Sequence, residues 1–209
     1  MTDEPHIEAR ENGPLVAKGI GRMAGPEGEE IEVKKVMALC RCGHSNSKPF
    51  CDGSHEKVGF DSAGGGAPAG KDRRLRYAGD KVTVTFNPMV CAHARECVRR
   101  AGHVFDPDKT PWVQPDEGSR EEIEEVIASC PSGALAFEGA DGSAEHRRLE
   151  RPHITVEKDG PYRVQGVTAP AGPQGEGMTG EKYVLCRCGL SGNKPYCDGT
   201  HSDRGWTAE

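Results

Sequence analysis

The sequence predicts an α+β protein built from two copies of a small β-rich module with a third, mixed unit between them. Three observations predict it. A stretch of roughly 55 residues near the N-terminus recurs near the C-terminus, as a duplicated domain requires. Between the copies, residues 73–138 read as strands and helices in the order β-β-α-β-α-β, which suits a small sheet with helices on one face. Composition supplies the third: hydrophobic residues are 34% and aromatics 5% of 209 residues, with 28 glycines and 15 prolines. Such a chain cannot build one large core, and small modules of this kind need a staple of metal or disulfide.

The repeat aligns over its whole length. "PHIEARENGPLVAKG" (5–19) matches "PHITVEKDGPYRVQG" (152–166), and "AGPEG" (24–28) matches "AGPQG" (171–175). Each copy opens with a hairpin, since Asp159-Gly160 sits between strand-like flanks. A strand follows, "EVKKVMAL" or "EKYVL", and ends at a cysteine. Asp52 and Asp198 then stand where a short helix would be capped. A last short strand is expected to hold Phe60 or Trp206. The predicted domains are 1–61, 73–138 and 152–209, joined by Gly-rich stretches at 61–72 and 139–145 that read as flexible linkers.

The middle unit begins with a hairpin in "LRYAGDKVTVTF". A helix around Ala92–Ala101, a short strand near Trp112, a charged helix over Ser119–Ser129 and a strand "ALAFE" complete it.

Charge and leader sequences exclude several classes. The formal net charge is −6, which gives no general case for nucleic acid or anionic membrane. The basic runs "KDRRLR" (71–76) and "HRRLER" (146–151) read as solvated linker edges or small docking patches. The polar N-terminus lacks the apolar core of a secretory signal, and no apolar run is long enough to span a membrane. The expectation is therefore a cytoplasmic chain. In a reducing compartment its nine cysteines are better suited to metal than to disulfides, and an odd number does not close a disulfide framework.

The cysteines are concentrated in "CRCGHSNSKPFCDGSH" (40–55) and "CRCGLSGNKPYCDGTH" (186–201), identical at 11 of 16 positions. The spacing is C-x-C-x8-C-x3-H. Cys40 and Cys42 project from one short turn, and Cys51 and His55 from the start of a helix. Two plus two donors suit a two-iron cluster, and Cys186, Cys188, Cys197 and His201 repeat the set. Zinc also takes three cysteines and a histidine, although its structural sites usually show C-x2–4-C pairs.

This stretch resembles the CDGSH iron–sulfur domain family, whose pattern is C-x-C-x2-[S/T]-x3-P-x-C-D-G-[S/A/T]-H. Ser45, Pro49, Asp52 and Gly53 fill its remaining positions, as do Ser191, Pro195, Asp198 and Gly199. The resemblance implies one [2Fe-2S] cluster per copy, held by three cysteines and one histidine. It also implies that two such domains pair. Here the copies would pair within the chain as a pseudo-dimer, leaving the protein a monomer.

Cys91, Cys97 and Cys130 remain. Four-iron ferredoxins read C-x2-C-x2-C with a remote cysteine before proline. Here the run is Cys91-x2-Ala94-x2-Cys97, and Cys130 precedes Pro131, so the second ligand has become alanine. Three thiolates fit a [3Fe-4S] cluster; a [4Fe-4S] cluster with a non-cysteine ligand competes, with His93 the nearest candidate. The unit resembles single-cluster bacterial ferredoxins, a resemblance reinforced by "CPSGAL" and "HVFDPDKTPWV". A ferredoxin fold that has lost its cluster is the plainer reading.

The expected function is electron transfer with a redox partner protein. Cluster delivery to an acceptor, or redox and iron sensing, is the second reading, and a zinc-stapled interaction module the third. No nucleotide fingerprint or Ser-His-Asp pattern is present, so the chain is not expected to be an enzyme.

Overall fold

The computed structural model describes residues 4–68, 70–147, 152–172 and 174–208. The first copy contains β1 (His6–Ala9), β2 (Leu15–Lys18), β3 (Arg22–Ala24), β4 (Glu30–Ile31), β5 (Val36–Leu39) and a one-turn helix α1 (Ser54–Lys57). The middle unit contains β6 (Leu75–Ala78), β7 (Thr83–Phe86), α2 (Glu96–Arg100), α3 (Arg120–Ser129), β8 (Leu135–Glu138) and β9 (Ala144–Glu145). The second copy contains β10 (His153–Val156), β11 (Tyr162–Gln165), β12 (Lys182–Leu185) and α4 (Thr200–Asp203).

Both copies begin with the expected hairpin, in matching registers: Ala9 faces Leu15 and Val156 faces Tyr162. Asn12 and Asp159 each take φ of 48° in the turn, a left-handed conformation that asparagine and aspartate tolerate better than most residues. A third strand, β5 or β12, adds to each hairpin antiparallel.

The copies then exchange backbone. β3 leaves its own hairpin and pairs parallel with β10 of the second copy, giving a sheet ordered β12-β11-β10-β3-β4. In return, Thr168 bridges His6 of the first copy in parallel. Neither β3 nor this exchange was foreseen from sequence, because a three-residue strand has too short a pattern to read. One core results. Leu15, Met23 and Leu39 of the first copy pack with Ile154, Val164 and Tyr183 of the second, all essentially inaccessible to solvent. Burying each such aliphatic side chain contributes about 1.5–3 kcal/mol, so each copy depends on the other. The two copies form an intrachain pseudo-dimer.

The middle unit is a sheet ordered β6-β7-β8-β9, with α3 packed against β8 and α2 packed against α3. Its own core includes Val84, Phe105, Ile123, Ile127 and Phe137. Ser119 caps α3, its hydroxyl accepting the Glu122 N–H.

Several expectations are corrected. Phe60 and Trp206 lie in no strand. Their N–H groups bond to the His55 and His201 carbonyls at 2.9 Å, and their rings sit under Arg41 and Arg187 at 5.3 and 5.0 Å. The helix over Ala92–Ala101 starts only at Glu96, because His93 and Arg95 hold φ of 53° and 58°. The strand near Trp112 is a single bridge between Phe105 and Val113. The stretch 139–145 is a turn into β9, which pairs with β8. The stretch 61–72 is tied down by Ser62 to Asn12, Gly64 to Lys194 and Asp72 to Asn87. The basic runs are not free edges: Arg74 and Arg76 bind Glu138, and Arg147 binds Glu124. Residues 148–151 of the second run lie outside the described residues. No helix among the described residues is long and apolar enough to cross a membrane.

Lys182 fastens the second copy to the middle unit. Its side chain is fully buried, and Nζ donates to the carbonyls of Ile127, Ala128 and Arg147 at 2.7–3.1 Å. Two of these belong to the last turn of α3, where carbonyls lack helical partners and favour a cation. Lys182→Met removes this donor from all three carbonyls. It is expected to cost about 3 kcal/mol, the worth of a buried charge-assisted hydrogen bond, as a lower urea midpoint at unchanged slope.

Candidate metal centres

Each sixteen-residue stretch is closed by two backbone bonds. Cys40 N–H donates to Pro49 O at 2.9 Å, and Cys51 N–H to Ala38 O at 2.8 Å; Cys186–Pro195 and Cys197–Val184 repeat the pair at 2.9 and 3.0 Å. The first and third cysteines are thereby held at neighbouring backbone positions. Ser45 Oγ and Ser191 Oγ donate to the Phe50 and Tyr196 carbonyls across the loop. Asp52 Oδ1 accepts the Ser54 N–H and Asp198 Oδ1 the Thr200 N–H, while each second carboxylate oxygen accepts an N–H from across the loop. A hydrogen bond from the Ser54 hydroxyl, and then the Asn46 and Ser54 N–H groups, hold the Asp52 carboxyl well below the usual carboxylate range. The N-caps are Gly53 and Gly199, at φ of 86° and 88°, not the expected aspartates, which stand one residue earlier and bond the first helical N–H.

The donors come together as pairs. Cys40 and Cys42 sulfurs are 3.8 Å apart, and Cys186 and Cys188 sulfurs 3.7 Å. Cys51 Sγ is 3.3 Å from His55 Nδ1, and Cys197 Sγ 3.3 Å from His201 Nδ1. Among the described residues no three such donors converge as they would on a single ion. Backbone N–H groups point at sulfur from Gly53, Leu190 and Gly199, each at 3.4 Å. Such donors stabilise thiolate. Burial pushes the Cys42 thiol up to about 11 and the Cys197 thiol well above its ordinary value. In the Cys186–Cys188 pair the first ionises more readily because the second donates to it, and Cys188 is pushed up in consequence. Thiolate is the metal-binding form of cysteine, and a cation between these paired sulfurs would favour it.

Arg41 and Arg187 are functional residues that the sequence reading passed over. Each lies between the two cysteines of its C-x-C and is buried. Arg41 Nε donates to Gly13 O and Arg187 Nε to Gly160 O, both at 2.8 Å, and their second guanidinium nitrogens reach the Arg10 and Glu157 carbonyls. They pin the cysteine turn to the hairpin turn. Their identity in both copies was the available signal. The two C-x-C turns also meet: Cys42 and Cys188 form an antiparallel bridge. A Cβ on Gly43 would lie 2.6 Å from the Cys188 carbonyl oxygen, so the close approach requires glycine. Tyr162 of the second copy donates to Cys40 O at 2.7 Å. Leu15, its counterpart in the repeat, cannot return that bond.

The copies differ in cover. Cys51 and His55 are partly exposed and Asp52 is exposed, whereas Cys197, Asp198 and His201 are buried.

In the middle unit Cys91, Cys97 and Cys130 line one cavity of about 40 Å³ together with Ala94, Arg95 and Trp112. Burial pushes Cys91 up to about 12 and Cys97 up to about 11. The ring of His93 lies elsewhere, with Nδ1 3.7 Å from the Asp203 carboxylate of the second copy. The side chain facing the vacant ligand position is therefore the Ala94 methyl.

Strand-rich modules with paired cysteine and histidine donors, flanking a three-cysteine cavity, define a class of iron–sulfur proteins. Comparison agrees: the family model "Iron-binding zinc finger CDGSH type" matches residues 12–56 and 159–202, and "Divergent 4Fe-4S mono-cluster" matches 77–138. The chain carries two CDGSH-type iron-binding domains with a divergent 4Fe-4S mono-cluster domain between them. It is similar to the uncharacterized protein YjdI of Escherichia coli K12 and to that of strain O157:H7. Each is 43% identical over 61 residues, which cover 29% of this chain and 80% of the relative.

Burial, and then the neighbouring His93, lowers the pKa of His201 below its ordinary 6.5. Below pH 6.5 the unfolded chain then binds this proton more readily than the fold does, so stability falls as pH drops through that range. In metal-free protein the NMR titration midpoint of His201 is expected below 6.5; a midpoint above it contradicts the assignment.

Proposed function

We propose that the chain is a one-electron carrier holding two [2Fe-2S] clusters and one [3Fe-4S] cluster. Cys40, Cys42, Cys51 and His55 hold the first; Cys186, Cys188, Cys197 and His201 hold the second; Cys91, Cys97 and Cys130 hold the third. The observation that carries this reading is the pairing of donors, two sulfurs on one side and sulfur with imidazole on the other, twice. Two pairs fit two irons, and a single zinc ion would draw four donors to one point. The Ala94 methyl beside the middle cavity favours three irons there over four.

Bound clusters supply one-electron oxidation and reduction without proton or group transfer; the protein supplies position and potential. A neutral imidazole in place of a thiolate leaves each outer site less negative, which favours the reduced state. The two-histidine Rieske centres show the same direction. On this reading the chain is not an enzyme. It works as a cytoplasmic monomer and exchanges electrons with a redox partner protein. The openness of Cys51 and His55 favours a second reading, in which the N-terminal site passes its cluster to an acceptor.

Purified protein is expected to contain iron and acid-labile sulfide and to show EPR signals of two cluster classes. Colourless, zinc-loaded protein would sink the reading in favour of an interaction module. His55→Cys and His201→Cys are each expected to lower the potential of their own centre and slow its loss in acid, followed by redox titration and visible absorbance. Ala94→Cys is expected to supply the missing thiolate and convert the middle EPR signal to that of a four-iron centre; an unchanged three-iron signal contradicts the placement of Ala94.

A further inference from the structure

The middle unit touches the two outer donor sets unequally. Ala92, the neighbour of Cys91, is 3% exposed and packs with Val184 and Cys197 in one small apolar cluster. His93 turns away from the middle cavity and lies over Gly199: a Cβ there would come within 2.7 Å of its ring. Gly199 begins the turn that carries His201. At Gly53, the equivalent position of the first copy, nothing lies within 4 Å of such a Cβ. The docking is fixed by Lys182 on α3, by Arg163 at 3.7 Å from Glu96, and by Gln174 donating to Ser132 O. On its other side the second copy meets the first through the Cys42–Cys188 bridge. The order in space is thus the middle cysteines, the buried C-terminal set, then the more open N-terminal set.

We propose that the contact of Ala92 and His93 with Cys197 and Gly199 is a one-electron junction. It makes the C-terminal set an internal relay between the middle site and the N-terminal site. This rests on the iron–sulfur reading above. One electron leaves the middle site and arrives at the C-terminal one; no bond forms or breaks at the junction and no proton moves. A one-electron donor protein fills the middle site, and a one-electron acceptor protein empties the N-terminal site. Cys91 and Ala92 are joined covalently, and Ala92 abuts Cys197, so the path crosses a single non-bonded contact between ligand-bearing segments. Cys42 and Cys188 complete it through paired backbone.

The two glycines give a matched test. Both have φ near 87°, so alanine at either incurs the same left-handed strain, but only Gly199→Ala collides with His93. Holo-protein of each variant is first assayed for iron and sulfide. Pulsed EPR then measures spin coupling between the middle and C-terminal centres, and rapid photoreduction measures how fast an electron redistributes between them. Wild type and Gly53→Ala are expected to show equal coupling and equal rates; Gly199→Ala is expected to weaken the coupling and slow the exchange. Equal behaviour of the two variants overturns the junction and leaves the iron–sulfur reading intact, whereas protein without iron and sulfide overturns that reading itself. If Gly199→Ala does not load all three centres, His93→Gly replaces it: slower redistribution supports the junction, and an unchanged rate overturns it.

Discussion

Everything in this protein depends on holding thiols that repel one another's ionised forms within about four ångströms. Two sulfurs 3.7–3.8 Å apart under a protein surface cannot both be charged without a cation. The polypeptide solves the geometric half of that problem with backbone. In each copy the strand before the first cysteine and the segment before the third are locked by two N–H to carbonyl bonds. The arginine between the cysteines ties the same turn to a hairpin. The electrostatic half is left to the metal, and N–H groups aimed at sulfur assist it.

Duplication serves this arrangement. One copy of some 55 residues has too little apolar side chain for an independent core. Exchange of β3 and the Thr168 segment lets two copies share one. The same exchange places the C-x-C turns face to face, where glycines 43 and 189 allow backbone contact. The two copies are nevertheless unlike in structure. Tyr162 reaches the first site and Leu15 does not reach the second. The inserted middle unit covers Cys197 and His201 and leaves Cys51 and His55 accessible.

The Gly-rich connectors show how local composition misleads. Glycine freedom reads as flexibility, yet the same lack of a Cβ permits the close approaches that fasten these segments. Gly65 lies against the Ser191 carbonyl and Gly192 against that of Ala67, at distances no side chain would allow. Likewise His93 read as a spare ligand because it is adjacent in sequence to the vacant position. Its positive φ turns the ring outward, and backbone conformation outweighs sequence adjacency.

The sequence by itself determined the donor spacing, the repeat, the opening hairpins and α3. Ligand chemistry is written in residue identity and short spacing, and hairpins and α3 carry local patterns strong enough to read. Only the tertiary structure decided which copy's strand completes which sheet, that Arg41 and Arg187 brace the turns, that Lys182 docks one copy on α3, and which donor set is buried. Those outcomes depend on contacts between residues tens of positions apart, and a contact of that kind leaves no periodicity in the chain that makes it.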